Sequence, residues 1–294
     1  MSTETQFAYD EAFSRNIGWF TRLEQQTLRR KRVAIAGMGG VGGSHLVTLA
    51  RLGIGSFAIS DLDVFEVGNF NRQLGATMNT VQRDKCEVMA ETARAINPEM
   101  DLRSFPAGVG EANLDDFLDG VDLYVDSLDF FALAVRRAVF ARCRERGIPA
   151  LTAAPMGMGT SLLAFLPGRM SFEEYFCFDD SRDDEHNLIK FMVGVSPSMQ
   201  QRHYLTPDSA VDLTAGRVPS TVVGVELAAG VVASYAAKLL LRRGPVLCAP
   251  RGMHFDAYRN RLIKTWRPGG NRNPLQVIMF QLLKATLRKQ ARAA

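Results

Sequence analysis

No C-x-x-C pair occurs in the 294 residues, and the four cysteines (Cys86, Cys143, Cys177 and Cys248) are scattered. That argues against a disulfide framework and a cysteine-rich zinc site, and for a reducing, cytoplasmic compartment. A secretory signal is also missing, since the first residues, Ser2 to Gln6, are polar. No long apolar run is free of charge: the longest, Val222 to Leu241, carries Glu226 and Lys238. It reads as a buried helix rather than a membrane span, so no transmembrane segment is expected. Acidic residues stop at Asp256, after which nine Lys or Arg follow. The net charge of +4 therefore combines a basic last stretch with a mildly acidic remainder. With 47% hydrophobic and 22% charged residues, 25 Gly and 12 Pro, the composition is that of an ordinary globular protein.

Neither an internal repeat nor a Pro/Gly/Ser linker divides the chain. Its first thirty residues read as a polar arm punctuated by Phe13, Ile17, Trp19 and Phe20. A dense βα alternation follows, with strands expected at Val33–Ala36, Phe57–Ser60, Leu102–Phe105, Leu123–Val125 and Ala150–Thr152. Helices are expected at Gly42–Leu52, Thr80–Ile96 and Phe131–Arg146. Such alternation predicts an α/β fold: a Rossmann-like, doubly wound, mostly parallel sheet with helices on both faces. Beyond Gly159 come antiparallel additions: a strand over Ser161–Leu166 and a hairpin of Met253–Tyr258 and Arg261–Trp266. Glu173 to Ser220 reads as long, polar and irregular, and helices are expected at Thr221–Leu241 and Leu275 to about Arg288.

Gly37-Met38-Gly39-Gly40-Val41-Gly42-Gly43 follows the first strand and opens a helix. Glycines let a phosphate approach backbone N–H groups, and the helix N-terminus adds a favourable dipole. Alone, this pattern suits readers of NAD, FAD and ATP alike. Asp61, ending the second strand, is placed to accept from ribose hydroxyls. The run from Asp61 through Asp63, Asn69, Asn71, Arg72 and Gln73, followed by Lys85 and then Asp126-Ser127-Leu128-Asp129, narrows the choice. Hydride transfer has no need of these cations and of a further carboxylate near the nucleotide, whereas phosphate chemistry does.

The motifs G-x-G-G-x-G, D-x-D, N-x-N-R-Q, the lysine thirteen residues after that arginine, and D-x-x-D together resemble the ThiF/MoeB/ubiquitin-activating-enzyme-like adenylyltransferases. The resemblance runs from about Phe13 to Pro167 and again from Pro219 to Leu241. It implies an enzyme that uses ATP and Mg²⁺ to adenylate a carboxylate, often the C-terminus of a ubiquitin-like protein or peptide. By position it implies that Gly37, Gly39, Gly40 and Gly42 approach the nucleotide and that Asp61 takes the ribose. Asp63, Asn71 and Gln73 belong to the same nucleotide-binding set. Asn69, Arg72 and Lys85 face the phosphates, and Asp129 holds Mg²⁺. Ser14-Arg15-Asn16-Ile17 is similar to the family's N-terminal signature, whose arginine enters the partner's site, so Arg15 would be a catalytic residue supplied in trans within a homodimer. Three segments follow from this reading: an arm over 1–30 serving the dimer and the partner's active site, an ATP-binding adenylation domain over 31–266, and a basic amphipathic tail over 267–294.

Departures from the pattern narrow the expectation. Relatives often carry two C-x-x-C pairs for structural zinc, the first where this chain has Met170 to Phe176, so no zinc is expected. Gly68 replaces a common serine, and Phe130 a common asparagine. By location Cys177 is the one candidate thioester nucleophile, although no His/Lys cluster in the sequence activates it. In the tail, Leu275, Ile278, Met279, Leu282 and Leu283 form a helical stripe expected to pack on the body or a dimer mate. Its Lys284, Arg288 and Lys289 would suit an acidic partner, tRNA or an anionic membrane. Other readings are a tRNA threonylcarbamoyladenosine dehydratase, a catalytically silent nucleotide-binding scaffold and, more remotely, an NAD-dependent oxidoreductase.

Overall fold

Short apolar strands in a parallel ladder organise the first part of the chain. The computed structural model describes residues 6–206 and 218–291. Strands β1 (Arg32–Ala36), β2 (Ser56–Ser60), β3 (Asp101–Phe105) and β4 (Leu123–Asp126) lie in the order β3-β2-β1-β4. All three pairings are parallel, with Ile35 beside Ile59 on one side and Val125 on the other. β1, β2 and β4 read as continuous apolar runs because both of their faces are buried. Chain order reverses direction at β1, which leaves a crevice beyond the C-terminal ends of β1 and β4.

The chain's beginning is more structured than a polar arm. It forms α1 (Tyr9–Ala12), a 3₁₀ turn (Ser14–Asn16) and α2 (Arg22–Arg29), the last closed by a capping box between Thr21 and Glu24. Tyr9 and Phe13 are buried, and the Tyr9 hydroxyl donates to Gly53 O. After β1 comes α3 (Gly40–Arg51), and after β2 comes α4 (Lys85–Ile96). α4 starts at Lys85 rather than Thr80 because Asp84 caps it, accepting the Glu87 N–H at 2.9 Å, while Thr80 closes a turn onto Gly75 O. A short α5 (Leu114–Phe117) precedes β4.

These elements, with Ala229–Val246, form one compact unit; Asp129–Ala228 and the chain from Leu247 form a second. The second holds α6 (Leu133–Glu145), β5 (Ala150–Met156), β6 (Gly159–Phe165), α7 (Phe172–Phe176) and α8 (Asp184–Val195). Helix α9 (Val222–Leu240) runs from the second unit into the first, and β7 (Arg251–Asp256), β8 (Arg261–Trp266) and α10 (Pro274–Ala291) follow. Strands β5-β6-β7-β8 are ordered as in sequence and antiparallel throughout. Parallel βα units with antiparallel strands are thus the observed α/β architecture. α8 overturns the expectation of an irregular stretch across Glu173–Ser220: Asp183 caps it by accepting the His186 N–H, and Ile189, Phe191 and Val193 are buried. Residues 207–217 of that stretch lie outside the described residues. Of the described helices, α9 alone is long and apolar enough to cross a membrane. Val225, Ala229, Val232 and Ala236 form a fully buried stripe along it, the pattern of a core helix.

Two histidines are buried with almost no exposure. Burial pushes His45 down to about 3, and neither of its ring nitrogens has a partner; His254 is pushed down to about 4. Both are neutral in the folded chain at pH 7. Between their folded values and the ordinary value near 6.5, the unfolded chain binds more protons, so stability falls as pH drops through that window. Each contributes a slope approaching about 1.4 kcal/mol per pH unit. Denaturant titrations from pH 7 to pH 4 should show that slope, and His45→Met should flatten it.

Candidate active site

The crevice at the ends of β1 and β4 is floored by the glycine loop. Gly37 has φ +93°, and a Cβ there would lie 2.1 Å from Ser127 O; one on Gly42 would lie 1.8 Å from Gly37 O. The loop is therefore folded as tightly as backbone permits, and it delivers the chain into α3. Gly39, the N-cap, offers no side chain to the first-turn N–H groups. Those donors and the helix dipole are the physical requirements of an anion site.

Side chains converge on this loop from β2 and α4. Asp61 accepts the Met38 N–H at 2.6 Å and the Asp63 N–H at 2.9 Å. Burial pushes its carboxyl up, against the opposing effect of those two donors and of the Lys85 charge. Lys85, the first residue of α4, is almost fully buried, with its Nζ 3.0 Å from an Asp63 carboxylate oxygen. Gln73 is also buried; its amide lies against Gly39, and its Oε1 has no partner. Ser127 likewise has a buried Oγ without a partner. Orphaned polar atoms beside a glycine cradle are what a polar ligand would satisfy. A cavity of about 340 Å³, lined by Phe13, Arg51 and Ile96 among others, lies at the other end of α3 and is no part of this constellation.

Gly37, Gly39, Gly40, Gly42, Asp61, Asp63, Gln73 and Lys85 are thus assembled. The N-x-N-R part of the motif is turned on itself: Arg72 donates to Gly68 O and Asn71 Oδ1, and Asn69 Oδ1 accepts the Glu66 N–H. Arg15 is exposed on the 3₁₀ turn of the arm, and no described contact joins it to the glycine loop. Asp129 opens the second unit, where one carboxylate oxygen accepts the Phe131 N–H at 2.9 Å. Cys177 stands in the left-handed conformation at the end of α7, its thiol 3.1 Å from Glu174 O; Lys190 reaches its carbonyl rather than its sulfur. Burial pushes the Cys86 thiol up to about 12, which makes it a packing residue.

A model of the ThiF family matches residues 13–277. The chain belongs to the ThiF family. It is 32% identical over 145 residues, 49% of this chain and 55% of the relative, to a tRNA threonylcarbamoyladenosine dehydratase of Haemophilus influenzae. To the sulfur carrier protein ThiS adenylyltransferase of Escherichia coli it is 27% identical over 202 residues, 66% of this chain and 78% of that protein. It therefore spans little more than half of the dehydratase. Among solved structures, E. coli MccB with ATP superposes with a TM-score of 0.63 at 20% identity, covering 90% of this chain and 71% of MccB.

Two features of the candidate site escaped the sequence. Ser127 contributes its backbone carbonyl as a stop for the glycine loop, a role that any side chain could hide. The pairing of Lys85 with Asp63 is spatial, across 22 positions. Because Gly37 has no room for a Cβ, Gly37→Ala should abolish the thermal stabilisation that ATP gives. Gly68→Ala, where an added Cβ meets nothing within 4 Å, should retain it. Equal shifts in both variants, read by thermal melting with and without ATP, would remove the loop from the site.

Proposed function

We propose that this ThiF-family chain is an ATP-dependent adenylyltransferase that activates a carboxylate. The observation that carries this reading is the buried Lys85 cation, held by Asp63 beside the glycine cradle and the α3 N-terminus. A redox nucleotide site has no use for that charge, whereas a triphosphate does. The substrate carboxylate oxygen attacks the α-phosphorus of ATP, and the bond to the bridging oxygen breaks. Acyl-adenylate and pyrophosphate result. No general base is needed, because the attacking carboxylate is ionised at neutral pH. Asp61 orients the ribose, while Gly37, Gly39, Gly40, Gly42 and Gln73 line the cradle, and Asn69 and Asn71 flank the phosphates. Lys85 and Arg72 oppose the charge on the departing pyrophosphate, Arg72 after releasing Gly68 O and Asn71. Mg²⁺ needs few protein ligands beside phosphate oxygens, and the exposed Asp129 carboxylate can supply one. Bound there, the ion would neutralise phosphate charge. Among the described residues no group of three or more metal-ligating side chains exists, which fits a metal held largely by substrate.

The acyl substrate in this reading is the C-terminus of a ubiquitin-like protein or a peptide, in a cytoplasmic setting. The protein is a homodimer in which Arg15 completes the neighbouring site. Cys177 takes no part, since its thiol is turned toward backbone carbonyls. A second reading, a dehydratase acting on a carboxylate within tRNA, is favoured by the resemblance to the Haemophilus relative and by the absence of acidic residues beyond Asp256.

Exchange of labelled pyrophosphate into ATP should appear when the acyl substrate is added. Lys85→Ala and Asp129→Ala should each lower it by about 10²–10³-fold, the cost of losing one preorganised charge. Full exchange in Asp129→Ala would sink the metal assignment. Arg15 is tested by mixing inactive Arg15→Ala with inactive Lys85→Ala subunits: a hybrid dimer retains one intact composite site and should recover part of the activity. Absence of recovery despite demonstrated subunit exchange would place Arg15 in its own chain's site or outside catalysis.

A further inference from the structure

A group of cations without counter-ions sits at the tip of the β7–β8 hairpin, not on the outward side of α10. That helix packs on α8 through a face other than its predicted apolar stripe. Gln276 is buried and donates to Val193 O at 3.1 Å, Phe280 lies 4.9 Å from His186, and Leu275, Ile278 and Leu282 are left exposed. Lys284 is turned back over the Phe280 ring.

The hairpin tip is held on one side by the 3₁₀ turn Gln200–His203 and the residues around it. Gln200 donates to His254 O at 3.0 Å, Ser198 Oγ meets His254 Nδ1 at 2.9 Å, and the Tyr204 hydroxyl donates to Asp256 Oδ2 at 2.8 Å. Alternation along β7 puts His254 and Asp256 on one face, and Arg261, directly opposite Asp256 in the ladder, shares it. The Tyr258 ring lies 4.9 Å from the Tyr204 ring, so it belongs to the same side, where it is 62% exposed. Arg202, Arg259 and Arg261 all act on His203: lost hydration and then the charges of Arg259, Arg202 and Arg261 push it below its ordinary value, against the opposing charge of Asp256. Asp256 is fully buried and already accepts the Tyr204 hydroxyl and, at 2.9 Å, the Arg259 N–H. Among the described residues, no carboxylate pairs with Arg202, Arg259 or Arg261.

Three guanidiniums crowded together repel one another, and a ligand carrying several negative charges relieves that repulsion. Their forked donors match phosphate oxygens. Beside them the exposed Tyr258 ring offers a flat face on which a nucleobase can stack. An acidic protein segment would use the arginines and leave the ring idle, whereas an unpaired nucleotide uses both. Bases free to stack on a protein ring are displayed chiefly by the loops and bulges of RNA.

We propose that the hairpin tip and its 3₁₀ turn bind an unpaired RNA loop, with Arg202, Arg259 and Arg261 on phosphates and Tyr258 against a base. This surface shares no residue with the adenylation site, and the proposal holds whichever carboxylate that site activates. The test is fluorescence anisotropy of a labelled RNA hairpin with an unpaired loop, titrated with the full chain in the absence of ATP. The native chain should bind it several-fold more tightly than a blunt RNA duplex of the same length. Arg259→Gln with Arg261→Gln should weaken binding about tenfold at low salt and lower the slope of log K against log salt by about 1.4, the share of two single-strand phosphate contacts. Tyr258→Ala should weaken binding about fivefold or more, while Tyr258→Phe, which keeps the ring, should not. Every variant should keep the native circular dichroism melt, so that a loss of binding is not a loss of fold. Pyrophosphate exchange reads the nucleotide site separately. A native chain that ignores the RNA, or binds the duplex equally well, overturns the proposal. So does unchanged affinity and salt slope in the glutamine pair, or full binding by Tyr258→Ala. Displacement of the RNA by polyglutamate as effectively as by unlabelled RNA would give the surface to an acidic protein and equally overturn it.

Discussion

One backbone contact sets the geometry on which the candidate site depends: the loop leaving β1 lies against the Ser127 carbonyl at the exit of β4. Gly37 can make that approach because it has no Cβ and accepts φ +93°. Gly42 then folds back over Gly37 O, and the two constraints together aim the N-terminus of α3 into the crevice. The β4 side of the contact is fixed independently. Asp126 is buried, and its carboxylate accepts the Leu128 N–H at 3.3 Å, holding the strand exit in place. A loop that touched nothing would have to be ordered by its ligand; this one is ordered by the sheet. The entropic cost of ordering this loop is met during folding.

The two motif cations are prepared differently. Lys85 is buried, and an unpaired ammonium in that position would be costly, so the Asp63 carboxylate pairs with it and holds it in place. Asp63 itself is largely exposed, with 59% of its side chain open to solvent, which leaves the pair accessible to a competing anion. Arg72 is tied instead to groups of its own turn and makes no such buried pair. The one is a fixed cation beside the glycine loop, the other a cation held only by its own turn.

How much of this was legible in the sequence depended on how local the cause was. The ends of β1 and β2 and the glycine loop follow from short patterns, because strand burial and turn glycines act within a few residues, whereas the Asp84 cap that starts α4 at Lys85 rather than Thr80 was passed over. α8 carried local signals too, an Asp183 cap and acidic residues in its first turn, but the polar composition around it obscured the apolar face of Ile189, Phe191 and Val193. For α10 the periodicity was degenerate. Two apolar stripes exist, and the buried one is decided by partners on α8 that no local pattern identifies. The Ser127 contact was illegible for another reason: it is made by a main-chain atom that every residue possesses.

Aromatic packing and a few directed polar contacts close the second unit. Phe140 stacks on Phe172 with ring centroids 4.1 Å apart, and Phe165, Tyr175, Phe176 and Phe191 extend the cluster from β6 through α7 to α8. Each such pair adds about 0.5–1.5 kcal/mol beyond its area burial. Arg137 grips Glu173 and Asp180 together with both ends of its guanidinium, tying α6 to α7 and to the loop that follows. The turn at Gly270–Arg272 is fastened from the other side. Gly270 sits so close to the Tyr175 carbonyl that a Cβ would fall 2.0 Å from it, and the Asn271 amide donates to Phe176 O and Lys190 O. Aromatic packing gives this closure its energy, while the Asn271 bonds give it direction, since a carboxamide can satisfy two carbonyls only in one orientation. The joining of these segments is spread over α6, α7, α8 and the turn.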